Sequence, residues 1–334
     1  MKAEIKPGFG HERSKLNEVI PLDTPFTMNI VPSTICNFKC KYCVHSLPKE
    51  ALDEKNFKPS LLDWDMFLKA AGQLLEFERP LKVISLTGNG ESLCNKKLPE
   101  MVAYLKRLKA AERIEFISNG ALLDNGTSIA LIDAGLDTIR ISIQGMSSEK
   151  YFDICGARLD LKELINKIQF LYQNKNNCNV YVKVIDIALE KGQEEEFYRI
   201  FGEISDRVFI EKVMPVYNGV DYSGMVKDTK VVDRYGRAHE RRYVCPQCFF
   251  TLTVWPNGDV YPCDVLSDPG LFGNITEKSL KNIWNGSERK EFLRMQLLKN
   301  RMDNAVCKNC CAPDDVSQPE DELDQYAEQI IKRL

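Results

Sequence analysis

The run Ile35-Cys36-Asn37-Phe38-Lys39-Cys40-Lys41-Tyr42-Cys43-Val44 sets three cysteines in a C-x3-C-x2-C spacing. Three thiolates are one fewer than a closed iron–sulfur cube needs. A cube held by four cysteines only passes electrons, whereas a cube held by three leaves one iron open to bind and activate a small molecule. Zinc sites draw instead on paired C-x2-C ligands with a second pair or histidines, and only His45 stands nearby. The loop therefore reads as an iron–sulfur site built for chemistry.

The chain around it has 334 residues, 44% of them hydrophobic, which suits one large packed domain and a smaller one. Its 45 basic and 48 acidic residues give a formal charge of -3, which supplies no general attraction to nucleic acid or to an acidic membrane surface. The first ten residues lack a long apolar core, and no apolar run approaches the about 18 residues of a membrane span. The expected compartment is the cytoplasm, where thiols stay reduced, so twelve cysteines suit metal ligation better than disulfides. Nine of the twelve are clustered.

Outward from the cysteine loop, short β-branched or aromatic runs alternate with amphipathic stretches, the βαβα pattern of a parallel sheet or barrel. Six strands are expected, over Phe26 to Val31, Lys82 to Thr87, Arg113 to Ser118, Thr138 to Ile143, Val180 to Asp186 and Arg207 to Val213. Helices are expected near Leu62 to Phe77, Leu98 to Ala111, Ser128 to Ala134, Leu161 to Asn174 and Gln193 to Ile204. Side chains alternate faces along a strand. With Ile139, Ile141 and Ile143 on the helix side, Arg140, Ser142 and Gln144 point inward; likewise Tyr181 and Lys183, Glu211, and Thr27 with Asn29. A polar lumen implies a substrate cavity, because packed barrel interiors are lined by Val, Ile and Leu.

The three-cysteine spacing, with Tyr42 before the last cysteine, resembles the signature of the radical S-adenosylmethionine (SAM) superfamily. That resemblance implies a partial (β/α)6 barrel, a [4Fe-4S] cluster on Cys36, Cys40 and Cys43, and reductive cleavage of SAM to a 5′-deoxyadenosyl radical that takes a hydrogen atom from substrate. The turn Thr87-Gly88-Asn89-Gly90-Glu91 resembles the family's Gly-Gly-Glu motif, whose glycines let backbone approach a ligand and whose carboxylate can receive the SAM ammonium. Ser118-Asn119-Gly120 is similar to its Thr-Asn-Gly turn, and Ser142 stands in a stretch similar to its ribose contact. Gln144 stands where many relatives carry an acid, which leaves no carboxylate role there.

Past Pro215 the rhythm stops, and a polar stretch leads to Cys245-Pro-Gln-Cys248, a hairpin around Pro256-Asn-Gly-Asp259 ending in Cys263, and Cys307-Lys-Asn-Cys310-Cys311. The pattern resembles the auxiliary iron–sulfur domain, SPASM or its shortened Twitch form, appended to some radical SAM enzymes; one auxiliary [4Fe-4S] cluster is the economical reading. The spacing of Cys245, Cys263, Cys307 and Cys310 is similar to that in the 2-deoxy-scyllo-inosamine dehydrogenase type, which implies those four as ligands, with Cys248 the alternative to Cys245. In isolation the C-x2-C pairs also fit a zinc ribbon. The expected fold is thus α/β: residues 1–25 an extension, 26–217 the barrel, 218–318 a cysteine-rich α+β auxiliary domain and 319–334 a C-terminal helix.

Lys183, Glu211 and Arg140 are the candidates to contact or deprotonate substrate, since an inward charge must have a partner. An electron acceptor favours oxidation of a hydroxyl on a sugar, nucleotide sugar or aminocyclitol, with an external flavodoxin- or ferredoxin-type donor. Two further reactions stay open. One is modification of a ribosomally made peptide, against which only about 25 residues precede the first strand, too few for a fused leader-binding domain. The other is epimerisation, with Cys155 or another thiol returning a hydrogen atom; otherwise Cys94, Cys155 and Cys178 are expected as small core hydrophobes.

Overall fold

The computed structural model describes the whole chain except residues 9–12, 227–231, 239–240 and 265–267. Its strands are β1 (Glu4–Ile5), β2 (Thr27–Ile30), β3 (Leu81–Ser85), β4 (Ala111–Ser118), β5 (Thr138–Ile143), β6 (Asn179–Ile185), β7 (Arg207–Glu211), β8 (Thr251–Val254), β9 (Asp259–Tyr261) and β10 (Gly273–Asn274). They form one sheet in the order β1-β7-β6-β5-β4-β3-β2-β8-β9-β10. The six expected strands are β2 to β7, parallel and in sequence order, with ends displaced by two residues at most. Mixed α/β architecture around a parallel sheet therefore holds as read from the sequence. Among the described residues no helix is long and apolar enough to cross a membrane.

Four of the helices between the strands start where a short polar side chain satisfies their free amides. Asp63, Asp124, Ser147 and Asp160 each accept from backbone N–H groups of the turn that follows. Alternation decides the two faces of the sheet: Ile139, Ile141, Ile143, Val180, Val182 and Val184 are buried against the helices, and Arg140, Tyr181, Lys183 and Glu211 turn to the lumen. The helix Ser148–Cys155 was not signalled by apolar periodicity; its Ser147 cap and the left-handed Gly156 at its end define it.

Three expectations change. Residues 1–25 are not simply an extension, because Glu4 and Ile5 pair with Arg207 and Val208 and add an edge strand to the barrel. Nor is the auxiliary region merely appended: β8 pairs in parallel with β2, from Thr27↔Thr251 to Ile30↔Val254, and the hairpin with β9 continues the same sheet. The tail 319–334 is not one helix but a 3-10 turn, Pro319–Asp321, and a five-residue helix, Ala327–Ile331. Its acids are spent as acceptors elsewhere: Asp321 takes Gln318 N and Arg13, and Asp324 takes the amides of Tyr243 and Val244. A helix with solvated acids would leave those amides unpaired.

The weld at β2–β8 joins barrel and auxiliary region in one sheet, which predicts that they unfold as one cooperative unit. Leu252 is fully buried on it. Leu252→Ala should cost about 3 kcal/mol, and tryptophan fluorescence and far-ultraviolet circular dichroism should lose structure in one coincident denaturant transition. Two separate transitions would show that the halves fold apart.

Candidate active site

The cysteine loop leaves the carboxyl end of β2 and is gripped from several sides. On one side Lys39 N and Lys41 N donate to the carbonyls of Cys155 and Ile154 (2.9 and 2.8 Å), and the Tyr42 hydroxyl donates to Gln144 Oε1. On another, Glu91 N donates to Ile35 O (2.8 Å) and Asn119 Nδ2 to Asn37 Oδ1 (2.7 Å). From the linker after β7, the Tyr222 hydroxyl donates to Tyr42 O (2.9 Å). Burial pushes the Cys36 thiol up to about 12 and the Cys43 thiol upward as well. Metal binding must displace protons from such thiols.

The Gly-x-Gly-Glu turn packs closely against the chain that leaves β2. A Cβ on Gly90 would lie 2.4 Å from Ser33 O, and one on Gly88 would lie 2.4 Å from a Val31 methyl. The glycines admit the start of the first loop at van der Waals range. Glu91 is likewise turned inward, 2% exposed. Its carboxylate accepts from Leu93 N (3.0 Å), Ser118 Oγ (2.8 Å) and Asn119 N (2.7 Å). Burial raises its pKa against those donors. Gly88, Gly90, Glu91, Ser118 and Asn119 thus brace the cysteine loop, and Ser142 at the end of β5 is half-buried, its carbonyl taking Gln144 Nε2 (3.3 Å). Asn89 faces the other way: it accepts from the Tyr217 hydroxyl (2.9 Å), donates to Asp264 O (2.8 Å), and its carbonyl meets His45 Nε2 (2.7 Å).

Beneath these loops a cavity of about 380 Å³ runs down the lumen and across to the auxiliary cysteines. Its barrel wall holds Arg140, Lys183 and Glu211, the three residues expected to meet substrate. Lys183 Nζ is 2.8 Å from Glu211 Oε2. Burial opposes ionisation of Glu211, but Lys183 and Arg234 outweigh it and hold the carboxylate below its usual range. Glu115 is shared by Arg113 (2.9 Å) and Arg140 in the same way. Sequence reading missed Arg234, Tyr217 and Asp264 on this wall; they lie in segments without periodicity, where only the fold reveals what faces the lumen.

At the far end the wall holds Cys245, Cys263, Cys307 and Cys310, together with Cys248 and Cys311. Arg301 Nη1 donates to the carbonyls of Cys307 and Cys310 (2.9 and 3.1 Å), and Gln296 Oε1 receives Cys245 N (3.1 Å). Cys248 is 2% exposed, with its thiol on Cys245 O (3.3 Å), inside the hydrophobic core. Among the described residues no three ligating side chains close into a cage; soft thiols collected beside a guanidinium nevertheless suit an anionic thiolate cluster. Cys155 is off the cavity, buried behind Cys40 with its thiol on Tyr151 O (3.0 Å), and Cys178 is in the core as expected, whereas Cys94 is half-buried.

The family model of the radical SAM superfamily matches residues 30–203, just over half of the chain. The chain belongs to the radical SAM superfamily. The model of the SPASM iron–sulfur cluster-binding domain matches residues 245–311. This radical SAM protein therefore uses a [4Fe-4S] cluster, SAM and auxiliary iron–sulfur chemistry. Solved structures share its fold: BtrN in complex with AdoMet and 2-DOIA (18% identity, TM-score 0.56, 90% of this chain and 97% of that one), Streptococcus suis SuiB bound to precursor peptide SuiA (16%, 0.63, 92% and 78%), and anSMEcpe with bound AdoMet (18%, 0.58, 92% and 92%). Among curated relatives, GTP 3′,8-cyclase of Staphylococcus haemolyticus is 27% identical over 224 residues, 64% of this chain and 62% of the relative. That of Staphylococcus aureus is 30% identical over 164 residues, 48% and 45%. The chain thus matches about three fifths or less of their length.

Removing the Glu91 carboxylate orphans three buried donors. Glu91→Ala should cost about 3 kcal/mol or more and should reduce reconstituted iron at the first site, measured by thermal unfolding and iron analysis. Unchanged iron content and stability would refute the bracing role.

Proposed function

We propose that the protein oxidises a hydroxyl group of a carbohydrate-like small molecule, a sugar, nucleotide sugar or aminocyclitol, to a carbonyl. One observation carries this reading: a single cavity touches the lumen charges Arg140, Lys183 and Glu211 and also the auxiliary cysteines. A substrate bound there would meet the lumen charges and the auxiliary cysteines together. The cavity, about 380 Å³, falls within the range of small-ligand sites.

In this reading Cys36, Cys40 and Cys43 hold the first cluster, and Cys245, Cys263, Cys307 and Cys310 hold one auxiliary [4Fe-4S] cluster, with Cys245 preferred to Cys248 because the latter is locked in the core. Gly88, Asn89, Gly90, Glu91, Ser118, Asn119 and Ser142 shape the SAM site, most of them by fixing the loops around it. When bound, these groups supply a 5′-deoxyadenosyl radical that removes a hydrogen atom and an acceptor for the second electron. The chain supplies the proton path: Glu211, ionised beside Lys183 and Arg234, can accept a hydroxyl proton, and Lys183 and Arg140 orient the oxygen. The position of Cys155 behind the cysteine loop disfavours it as hydrogen donor in an epimerase. A flavodoxin- or ferredoxin-type protein in the cytoplasm would provide the reductant.

Anaerobic reconstitution should give about eight irons per chain, and reduced protein with SAM should release 5′-deoxyadenosine. A Cys307→Ala, Cys310→Ala double variant should still release it while losing oxidised product, and Lys183→Met should slow turnover roughly 100-fold. Zinc in the second site, or full product formation by the double variant, would defeat the oxidase reading.

A further inference from the structure

The lumen charges do not balance. Glu115 is shared by Arg113 and Arg140, and Glu211 is paired with Lys183 and within the field of Arg234. Each buried carboxylate thus faces two cations. Asp264, which also lines the cavity, offsets only part of this excess. The other cations on the wall are committed: Arg13 to Asp321 (2.6 Å), and Arg301 to the carbonyls of Cys307 and Cys310.

Arg234 is the member left over. It stands in a tight turn, with Gly236 N on Asp233 O (3.0 Å), Asp233 N on Arg237 O (2.7 Å) and Gly236 at φ +79°. The Asp233 carboxylate fixes the turn by accepting from Tyr235 N, Arg237 N and Arg237 Nε (2.9, 2.9 and 2.7 Å). The Arg234 backbone is pinned from both sides, its N–H on Asp315 O (3.0 Å) and its carbonyl receiving Lys212 N (2.8 Å). The turn therefore presents a pre-positioned guanidinium to the cavity, between Glu211 on the barrel wall and Cys311 on the auxiliary wall. Among the described residues that guanidinium makes no hydrogen bond. A charged fork held by a rigid turn in a cavity, with no hydrogen-bond partner among the described residues, is suited to a carboxylate or phosphate, which it can bind through two parallel N–H donors.

We propose that Arg234 receives an anionic group of the substrate, so that the compound oxidised is a sugar acid or a phosphate ester and not a neutral sugar or a cationic aminocyclitol. This rests on the oxidation reading for the use of the cavity, but the binding claim is tested apart from turnover.

The reconstituted holoenzyme, saturated with SAM so that the SAM carboxylate is not the anion detected, is titrated calorimetrically with inorganic phosphate, glucuronate and glucose. Phosphate or glucuronate should bind, whichever is tighter naming the group, and glucose should bind at least ten-fold more weakly. Arg234→Ala should weaken the preferred anion ten-fold or more, and Arg234→Lys, which keeps the charge but not the fork, should fall between. Thermal unfolding reports whether either variant is folded; if the alanine variant is not, the lysine variant alone must show weakened binding. Binding by neither anion, equal binding of glucose, or unchanged affinity in a folded variant overturns the proposal. Release of 5′-deoxyadenosine by the unaltered protein tests the underlying reading separately.

Discussion

The Glu91 carboxylate holds the active end of the barrel together. It is buried, and it accepts donors from its own loop and from the end of β4 and the residue after it, while Gly90 seats Glu91's own loop against the Ser33–Ile35 backbone. A buried carboxylate is tolerated only when its lone pairs are filled, and removing a donor or the acceptor leaves a costly orphan. The cysteine loop has little regular structure of its own, so this brace, with Asn119 on Asn37, sets where Cys36, Cys40 and Cys43 stand. An open iron is useful only if its three ligands keep a fixed geometry towards the lumen.

The parallel sheet was legible because its strands alternate with period two and its helices carry caps, two local signals that tertiary context did not contradict. The polar row Arg140, Lys183 and Glu211 was legible for the same reason. The cysteine spacings were legible because ligand chemistry constrains them. By contrast, the glycines of the Gly-x-Gly turn show only that something comes close, and here that something is Ser33 O and Val31. Strand β1 is two residues long, too short for any periodicity, and the β2–β8 weld joins segments over 220 positions apart that carry no mark of pairing. Arg234, Tyr217 and Asp264 come from turns and linkers whose facing is set by distant contacts such as Arg234 N to Asp315 O.

The weld gives the auxiliary cysteines their meaning. Because β8 extends the sheet at β2, the strand that launches the cysteine loop, the hairpin between Cys248 and Cys263 is fixed directly beside that strand, and the auxiliary cysteines open onto the same cavity as the lumen charges. Tyr217 and Asn89, joined by a hydrogen bond, form part of that cavity's wall. A molecule in that cavity would meet the lumen charges and the auxiliary cysteines together, which is what the proposed oxidation draws on.

The central claim is that the three-cysteine loop presents an open iron to SAM. It is tested most directly by electron paramagnetic resonance of the reduced protein carrying Cys307→Ala and Cys310→Ala, so that the first cluster dominates the spectrum, recorded with and without SAM. The account predicts that SAM shifts the g-values of a [4Fe-4S]+ signal and that Cys43→Ala abolishes the signal. An iron–sulfur signal indifferent to SAM would contradict it.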